Sequence, residues 1–315
     1  MHPEANPSAG LPADGIEVLA VFGPTGVGKT EVAIELAALL RARGRDPVAV
    51  SADAIAVYEG LDVLAAKPTP DQLDRLEHRL VSCVPVDEEF SVGRYAELAH
   101  AEIDALVEAG RTPIVVGGTG LYLRAALTDL DLRPPPGREL RERLERELAE
   151  AGPAVLHGRL SAAAAGTVHP NDRKRVVRAL ELELMGSAPH AGSNELWSER
   201  LRRPAALFGL TRDRDALLER IRGRAAAMLA GGAVEEVERA IALGASRTAR
   251  KALGFKEIAA HLAGEADRDE TRARIERGHI AYVKRQLTWM RKLAGVQTID
   301  RTAMRPVDVA AHALP

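Results

Sequence analysis

The sequence predicts an α/β fold, a parallel sheet of short strands covered by helices and interrupted by a helical insertion. Three observations predict it. Short apolar runs alternate with stretches of helical periodicity through the first half of the chain. A glycine-rich segment stands between the first such run and the first such helix, where ligands of parallel sheets gather. After Leu132 the composition shifts to helical, arginine-rich sequence without strand patterns.

The elements follow in order. Residues 16–22 form the first strand and run into Gly23-Pro24-Thr25-Gly26-Val27-Gly28-Lys29-Thr30. A helix over 30–43 places Val32, Leu36, Leu39 and Leu40 on one stripe, with Gly44 as its stop. The second strand, 48–50, ends at Ser51-Ala52-Asp53, and a third lies near 79–86. Cys83, within the apolar run of that third strand, is expected to be a buried strand residue rather than a nucleophile. A helix over 93–109 leads to a fourth strand, 113–116, and then to Gly117-Gly118-Thr119-Gly120. Arg133-Pro134-Pro135-Pro136-Gly137 reads as a stiff linker. A strand over 206–210 returns the chain to the sheet, and helices over 214–230, 234–243 and 272–293 complete it. The expected plan is a loose tail over 1–14, a core from 15–132 and 205–315, and a helical insertion over 133–204.

Composition bounds the function. At 46% apolar and 28% charged residues the chain is a globular protein with ample length for a core. A net charge of −2 argues against strong non-specific attraction to nucleic acid but leaves room for a local basic face. One cysteine excludes an internal disulfide, and there is neither a zinc-like Cys/His cluster nor an uninterrupted apolar span. The first residues lack the order of a signal peptide, so a cytoplasmic protein without membrane attachment is expected.

The loop Gly23 to Thr30 fits G-x-x-x-x-G-K-[ST] in the required strand–loop–helix context. Its backbone N–H groups wrap a phosphate, Lys29 supplies a point charge, and the Thr30 hydroxyl is a ligand for Mg²⁺. The fold class is therefore P-loop NTPase-like, and the signal names a pyrophosphate or polyphosphate without naming its owner. Asp53, at a strand end beside the loop, suits a general base or water-mediated Mg²⁺ binding, against the plainer reading of a turn or N-cap aspartate. Gly117 to Gly120 permits close approach of backbone to ligand, or is an ordinary tight turn. No acidic residue ends the 114–116 strand, where a motor ATPase or GTPase would want one. Basic clusters occur at 173–178, 247–251 and 284–292, each readable as a solvated helix face. The last encloses Trp289, which suits stacking on single-stranded RNA or a place in the core.

Taken together, these segments resemble the bacterial tRNA dimethylallyltransferases, also called tRNA isopentenyltransferases, over roughly residues 18–300. The resemblance rests on the Gly23 to Thr30 loop, Ser51-Ala52-Asp53, residues 57–62 leading to Ala66-Lys67-Pro68, His78-Arg79-Leu80 and Phe90-Ser91-Val92. It continues through residues 116–123, His169-Pro170-Asn171-Asp172, Arg178-Ala179-Leu180-Glu181, residues 253–257 and residues 284–289. It implies transfer of a dimethylallyl group from dimethylallyl pyrophosphate to N6 of an adenosine beside the tRNA anticodon, by a monomer. Asp53 then matches the base, Thr119 a residue contacting the reacting region, and Lys29, Thr30-bound Mg²⁺ and Arg214 the partners of the pyrophosphate. The expected tRNA contacts are Asp53, Ala54, Ile55, Ala56, Thr119, Arg141, Lys174, Arg175, Val176, Val177 and Arg178. Lys251, Gly254, Phe255, Lys256, Lys284, Arg285, Gln286, Thr288, Trp289 and Arg291 complete the set facing the anticodon stem-loop. The target base leaves its stack to reach Asp53.

The sequence departs from the family at Ala54, where serine is usual, and at Leu64 and Ala65, where glycine and threonine are usual. It departs again at His279-Ile280, in place of Thr-Arg. Leu64 in place of glycine is expected to alter a backbone turn. Two rival readings are a small-molecule P-loop kinase, which leaves the carboxyl-terminal basic–Trp segment unexplained, and an RNA-binding protein with a vestigial phosphate loop.

Overall fold

The computed structural model describes residues 15–187 and 195–314, so the tail expected over 1–14 lies outside the described residues. The chain divides into a larger unit, up to Leu130 and from Leu196, and a smaller one, Asp131–Glu195.

The larger unit opens with β1 (Val18–Phe22), α1 (Lys29–Ala42), β2 (Pro47–Ser51), α2 (Asp62–Ala65), α3 (Pro70–Arg75) and β3 (His78–Arg79). It continues with α4 (Val92–Glu108), β4 (Thr112–Gly117) and α5 (Gly120–Leu127). The smaller unit is α6 (Arg138–Ala151), α7 (Pro153–His157), α8 (Ala162–Ala165) and α9 (Arg173–Leu184). The chain returns through β5 (Ala205–Thr211), α10 (Arg214–Ala230), α11 (Ala233–Ala242), α12 (Phe255–Leu262), α13 (Arg268–Met290), β6 (Val296–Asp300) and α14 (Pro306–Ala313).

The sheet runs β3-β2-β4-β1-β5-β6, every pair parallel. Every residue of β1 and β2 is buried, as expected of central strands with helices on both faces. The stripe of α1 packs Val32, Leu36 and Leu40 with Leu19, Ile114, Phe208 and Val309 in one cluster.

Several expectations are corrected. The third strand is two residues long, because Leu80 and Ser82 adopt positive φ (57° and 50°) and turn the chain out of the sheet. Cys83 is consequently exposed, not buried in a strand. Edge strand β6 carries exposed Gln297 and Thr298, and its mixed pattern hides it from periodicity. Residues 196–204, expected in the insertion, belong to the larger unit. There the Arg202 N–H donates to the Leu127 carbonyl, and Arg202 and Arg203 pair with Asp104, Asp129 and Glu17. Leu64 stands in α2 without positive φ, so the expected alteration of a turn there does not arise.

The smaller unit has its own core of Leu144, Leu156, Leu160, Val176, Val177 and Leu180. Val176 and Val177, expected at RNA, are thus core residues whose side chains are withdrawn from solvent. Fully buried Glu181 holds Arg141 and Arg178, and Arg178 also donates to the carbonyls of Arg133 and Pro134. Arg141 therefore anchors α6 to α9, a task that sequence alone did not assign to it.

Candidate active site

The loop after β1 is a cradle braced from outside. Gly26 and Gly28 take positive φ (79° and 91°), which turns successive peptide units toward one concavity. A Cβ on Gly28 would lie 2.1 Å from Arg301 Nη1, which donates to the Gly28 carbonyl at 2.6 Å. Arg220 Nε donates to the Gly26 carbonyl, also at 2.6 Å. Lys29 Nζ folds back over the loop onto the carbonyls of Gly23 (3.0 Å) and Pro24 (3.1 Å). Burial pulls its pKa down to about 8, partly offset by the Asp53 carboxylate and furthered by Arg224. The result is a half-buried cation at the mouth of a cradle of N–H groups, an arrangement suited to a diphosphate.

Asp53 and Thr119 arrive from the adjacent strands. β2 ends at Ser51, and Asp53 Oδ1 accepts from the N–H groups of Ile55 (2.9 Å) and Ala56 (3.2 Å), so the expected turn-capping role is real. That turn accounts for one carboxylate oxygen. β4 delivers Gly118 against the loop: a Cβ there would lie 2.4 Å from Gln286 Nε2 and 3.3 Å from Lys29 Nζ. Thr119 Oγ1 lies 3.2 Å from the Tyr282 hydroxyl. Gln286 ties the two loops together, accepting from Thr25 N–H at 2.9 Å and donating to the Gly118 carbonyl at 2.8 Å.

The field around Asp53 identifies residues that sequence reasoning missed. Burial raises the hydroxyl pKa values of Tyr95, Tyr122 and Tyr282, the last up to about 12, and the Asp53 charge adds to each rise. The rings of Tyr95 and Tyr122 pack at a tilt of 36° with centroids 4.4 Å apart. Arg224 on α10 is half-buried, with its Nε enclosed. Its burial works against the guanidinium charge, and the Asp53 carboxylate works for it. A signal for it existed: Leu217, Ile221, Arg224 and Met228 recur at helical spacing, and an arginine on an otherwise buried stripe calls for a reason. Arg214, expected at the pyrophosphate, is the exposed first residue of α10. Along α10, Arg220 reaches the phosphate loop through the Gly26 carbonyl, and Arg224 lies in the field of Asp53 and Lys29.

The remaining expected residues divide by exposure. Lys174, Arg175, Lys251, Lys256, Lys284, Arg285, Thr288 and Arg291 are exposed, and Ala54 and Ile55 are half-buried beside Asp53. Ala56, Gly254, Phe255 and Gln286 are buried, so the expectation of RNA contact through them is corrected to packing and loop bracing. Trp289 is half-buried, its ring 4.7 Å from that of Trp197 and lying over Gly120, while Lys292 sits over the Trp197 face. The Thr30 hydroxyl, in the first turn of α1, is half-buried with no protein partner, which fits a group turned toward a metal–diphosphate pair. No cluster of three or more His, Cys, Asp or Glu side chains able to hold a metal by themselves occurs among the described residues. No described helix is long and apolar enough to cross a membrane.

A parallel sheet whose first strand opens onto a lysine-tipped phosphate loop, with Asp53 and Thr119 at neighbouring strand ends, defines a P-loop NTPase-like protein. Its family is narrower. The family model described as IPP transferase matches residues 56–293, and the chain belongs to that family. The chain is 38% identical over 291 residues to the tRNA dimethylallyltransferase of Acetivibrio thermocellus, covering 90% of this chain and 91% of that one. It is 42% identical over 290 residues to the tRNA dimethylallyltransferase of Anaeromyxobacter dehalogenans, covering 89% and 94%. Among solved structures it is similar to the full-length tRNA isopentenylpyrophosphate transferase of Bacillus halodurans, with a TM-score of 0.68, 32% identity and 94% of each chain covered. A eukaryotic dimethylallyltransferase acting on tRNA shares the fold, with a TM-score of 0.75 at 22% identity.

Proposed function

We propose that this chain is a tRNA dimethylallyltransferase, moving the dimethylallyl group of dimethylallyl pyrophosphate onto N6 of an adenosine next to the anticodon. The observation that carries the reading is the convergence of Lys29, Arg224 and Asp53, with Thr119 at the neighbouring strand end, in a chain of the IPP transferase family. The adenine amine is a weak nucleophile because its lone pair is delocalised into the ring. Asp53 takes a proton from N6 as that nitrogen forms a bond to the allylic carbon. The carbon–oxygen bond to the diphosphate breaks, and the diphosphate leaves with the electron pair. Loop N–H groups, Lys29 and Arg224 meet the charge that grows on it. The Thr30 hydroxyl would hold a Mg²⁺ ion, which would supply further neutralisation of the leaving group's charge. Thr119 and the tyrosines around Asp53 shape the space for the base. Exposed Lys174, Arg175, Lys284, Arg285 and Arg291 are offered to tRNA phosphates. The enzyme is read as a cytoplasmic monomer.

The test is transfer of label from dimethylallyl pyrophosphate, with Mg²⁺, to an anticodon stem-loop containing consecutive adenosines. Asp53→Asn keeps the oxygen that caps the turn but loses the base. It is expected to bind RNA normally and to turn over about 10²–10⁴-fold more slowly. No transfer by the unaltered chain, together with ATP-dependent phosphorylation of a small acceptor, would select the kinase reading. RNA binding without either activity would select the vestigial-loop reading.

A further inference from the structure

Helices α10 and α13 lie antiparallel. Arg268, at the start of α13, donates to the Leu229 carbonyl near the end of α10. Met228 and Ile275 meet at Gly254, while Leu217 and Ile221 pack with Val283. Between these two contacts stand Arg224, one turn before Met228, and His279, one turn after Ile275. They occupy facing positions in the helix pair.

Each carries a buried polar atom without a partner, and the two are complementary. His279 is 1% exposed, and its Nδ1 lies 3.0 Å from the Ile275 carbonyl. A carbonyl only accepts, so Nδ1 bears the proton and Nε2 presents a lone pair. That Nε2 has no partner, and neither does the Nε–H of Arg224, whose Nη2 donates to the Leu64 carbonyl. Burial, aided by the nearby Arg224 charge, pushes the His279 pKa down to about 4, so the ring is neutral and remains an acceptor. Buried donors and acceptors in native proteins are paired directly or through an enclosed water.

We propose that one enclosed water bridges the two, accepting from Arg224 Nε–H and donating to His279 Nε2, and so orients the guanidinium toward the diphosphate side of the site. His279 is a positioning residue that acts through Arg224, and its effect on turnover rests on the transferase reading above. The residue stands where the resembling family has threonine, so this chain uses an imidazole for the task.

Two arms test it on the full chain. In ¹⁵N-histidine-labelled protein, with the signal assigned by its loss in His279→Gln, the ring shows a protonated Nδ1 and an unprotonated, hydrogen-bonded Nε2. Arg224→Met is expected to shift that Nε2 resonance toward the free-acceptor position. A protonated Nε2, or a resonance indifferent to Arg224→Met, overturns the proposal whether or not the chain transfers a prenyl group. In the transfer assay, His279→Leu is expected to raise the KM for dimethylallyl pyrophosphate roughly tenfold, the loss of one charge-assisted hydrogen bond. The KM for RNA stays unchanged, and His279→Gln, which restores an acceptor, recovers most of the loss. In an Arg224→Met background His279→Leu adds nothing further. Independent, multiplying effects of the two substitutions would reject the linkage, and absence of transfer by the unaltered chain would reject the transferase reading alone.

Discussion

His279 shows at the scale of one residue how burial converts a departure in sequence into a measurable property. The folded protein holds its ring near pKa 4, against an ordinary value of 6.5 in the unfolded chain. Between these values the unfolded chain binds a proton that the folded chain refuses, so stability is full above pH 6.5 and falls as pH drops toward 4. At ~1.4 kcal/mol per unit the loss amounts to roughly 3 kcal/mol. Urea midpoints followed from pH 7.5 to 4 should therefore fall less steeply for His279→Gln than for the unaltered chain, by about one proton's worth of slope. Equal slopes would mean that the folded protein protonates His279 readily. Asp53 teaches a different lesson at the same scale. Its turn-capping and base roles, weighed against each other from sequence, are compatible, since the turn accounts for one oxygen of the carboxylate.

Single-turn α2 illustrates the element scale. Four residues cannot hold a helix by themselves, and the N–H groups of Asp62, Val63 and Leu64 have no partner within it. Buried Glu236 of α11 accepts from all three, at 2.9, 2.7 and 3.2 Å. The element therefore exists because a carboxylate more than 170 residues along the chain caps it. It matters to the site because its Leu64 carbonyl holds Arg224. Glu236→Ala is expected to lower stability by about 3 kcal/mol or more, with Glu236→Gln costing less, as read from urea unfolding. Activity should fall further than stability alone explains, through the loosened Arg224. A midpoint unchanged in Glu236→Ala would show that the cap carries no weight. In the smaller unit, Glu181 does similar work for α6 and α9, and there too a carboxylate with zero exposure gathers two arginines.

For the whole molecule, charge is nearly balanced overall, at −2, yet unevenly spread. The carboxyl-terminal part of α13 exposes Lys284, Arg285 and Thr288, and Arg291 and Lys292 follow, while its buried stripe of Ile275, His279, Val283, Gln286 and Met290 faces the core. One helix thus braces the phosphate loop through Gln286 and offers cations on its other side. If those cations bind RNA phosphates, replacing Lys284 and Arg285 with alanine should weaken stem-loop binding at low salt. It should also reduce the slope of log affinity against log salt by about 1–2. An unchanged slope would place the RNA elsewhere.

The sequence by itself determined the strand–loop–helix cradle, the parallel sheet and the positions of Lys29, Asp53 and Thr119, because each depends on local signals: glycine spacing, apolar runs and strand ends. The family resemblance was equally legible, being a matter of ordered motifs. Tertiary structure alone decided the surroundings of each arginine: on one helix, Arg214 is the exposed first residue while Arg224 lies on the stripe of Leu217, Ile221 and Met228. It also decided that Val176, Val177, Phe255 and Gln286 are interior, that β3 stops at Arg79, and that β6 exists as a solvated edge. These outcomes depend on what each residue meets across the fold. Burial and pairing with distant partners such as Glu236, Glu181 and Arg301 are properties of packing, and no local pattern encodes them.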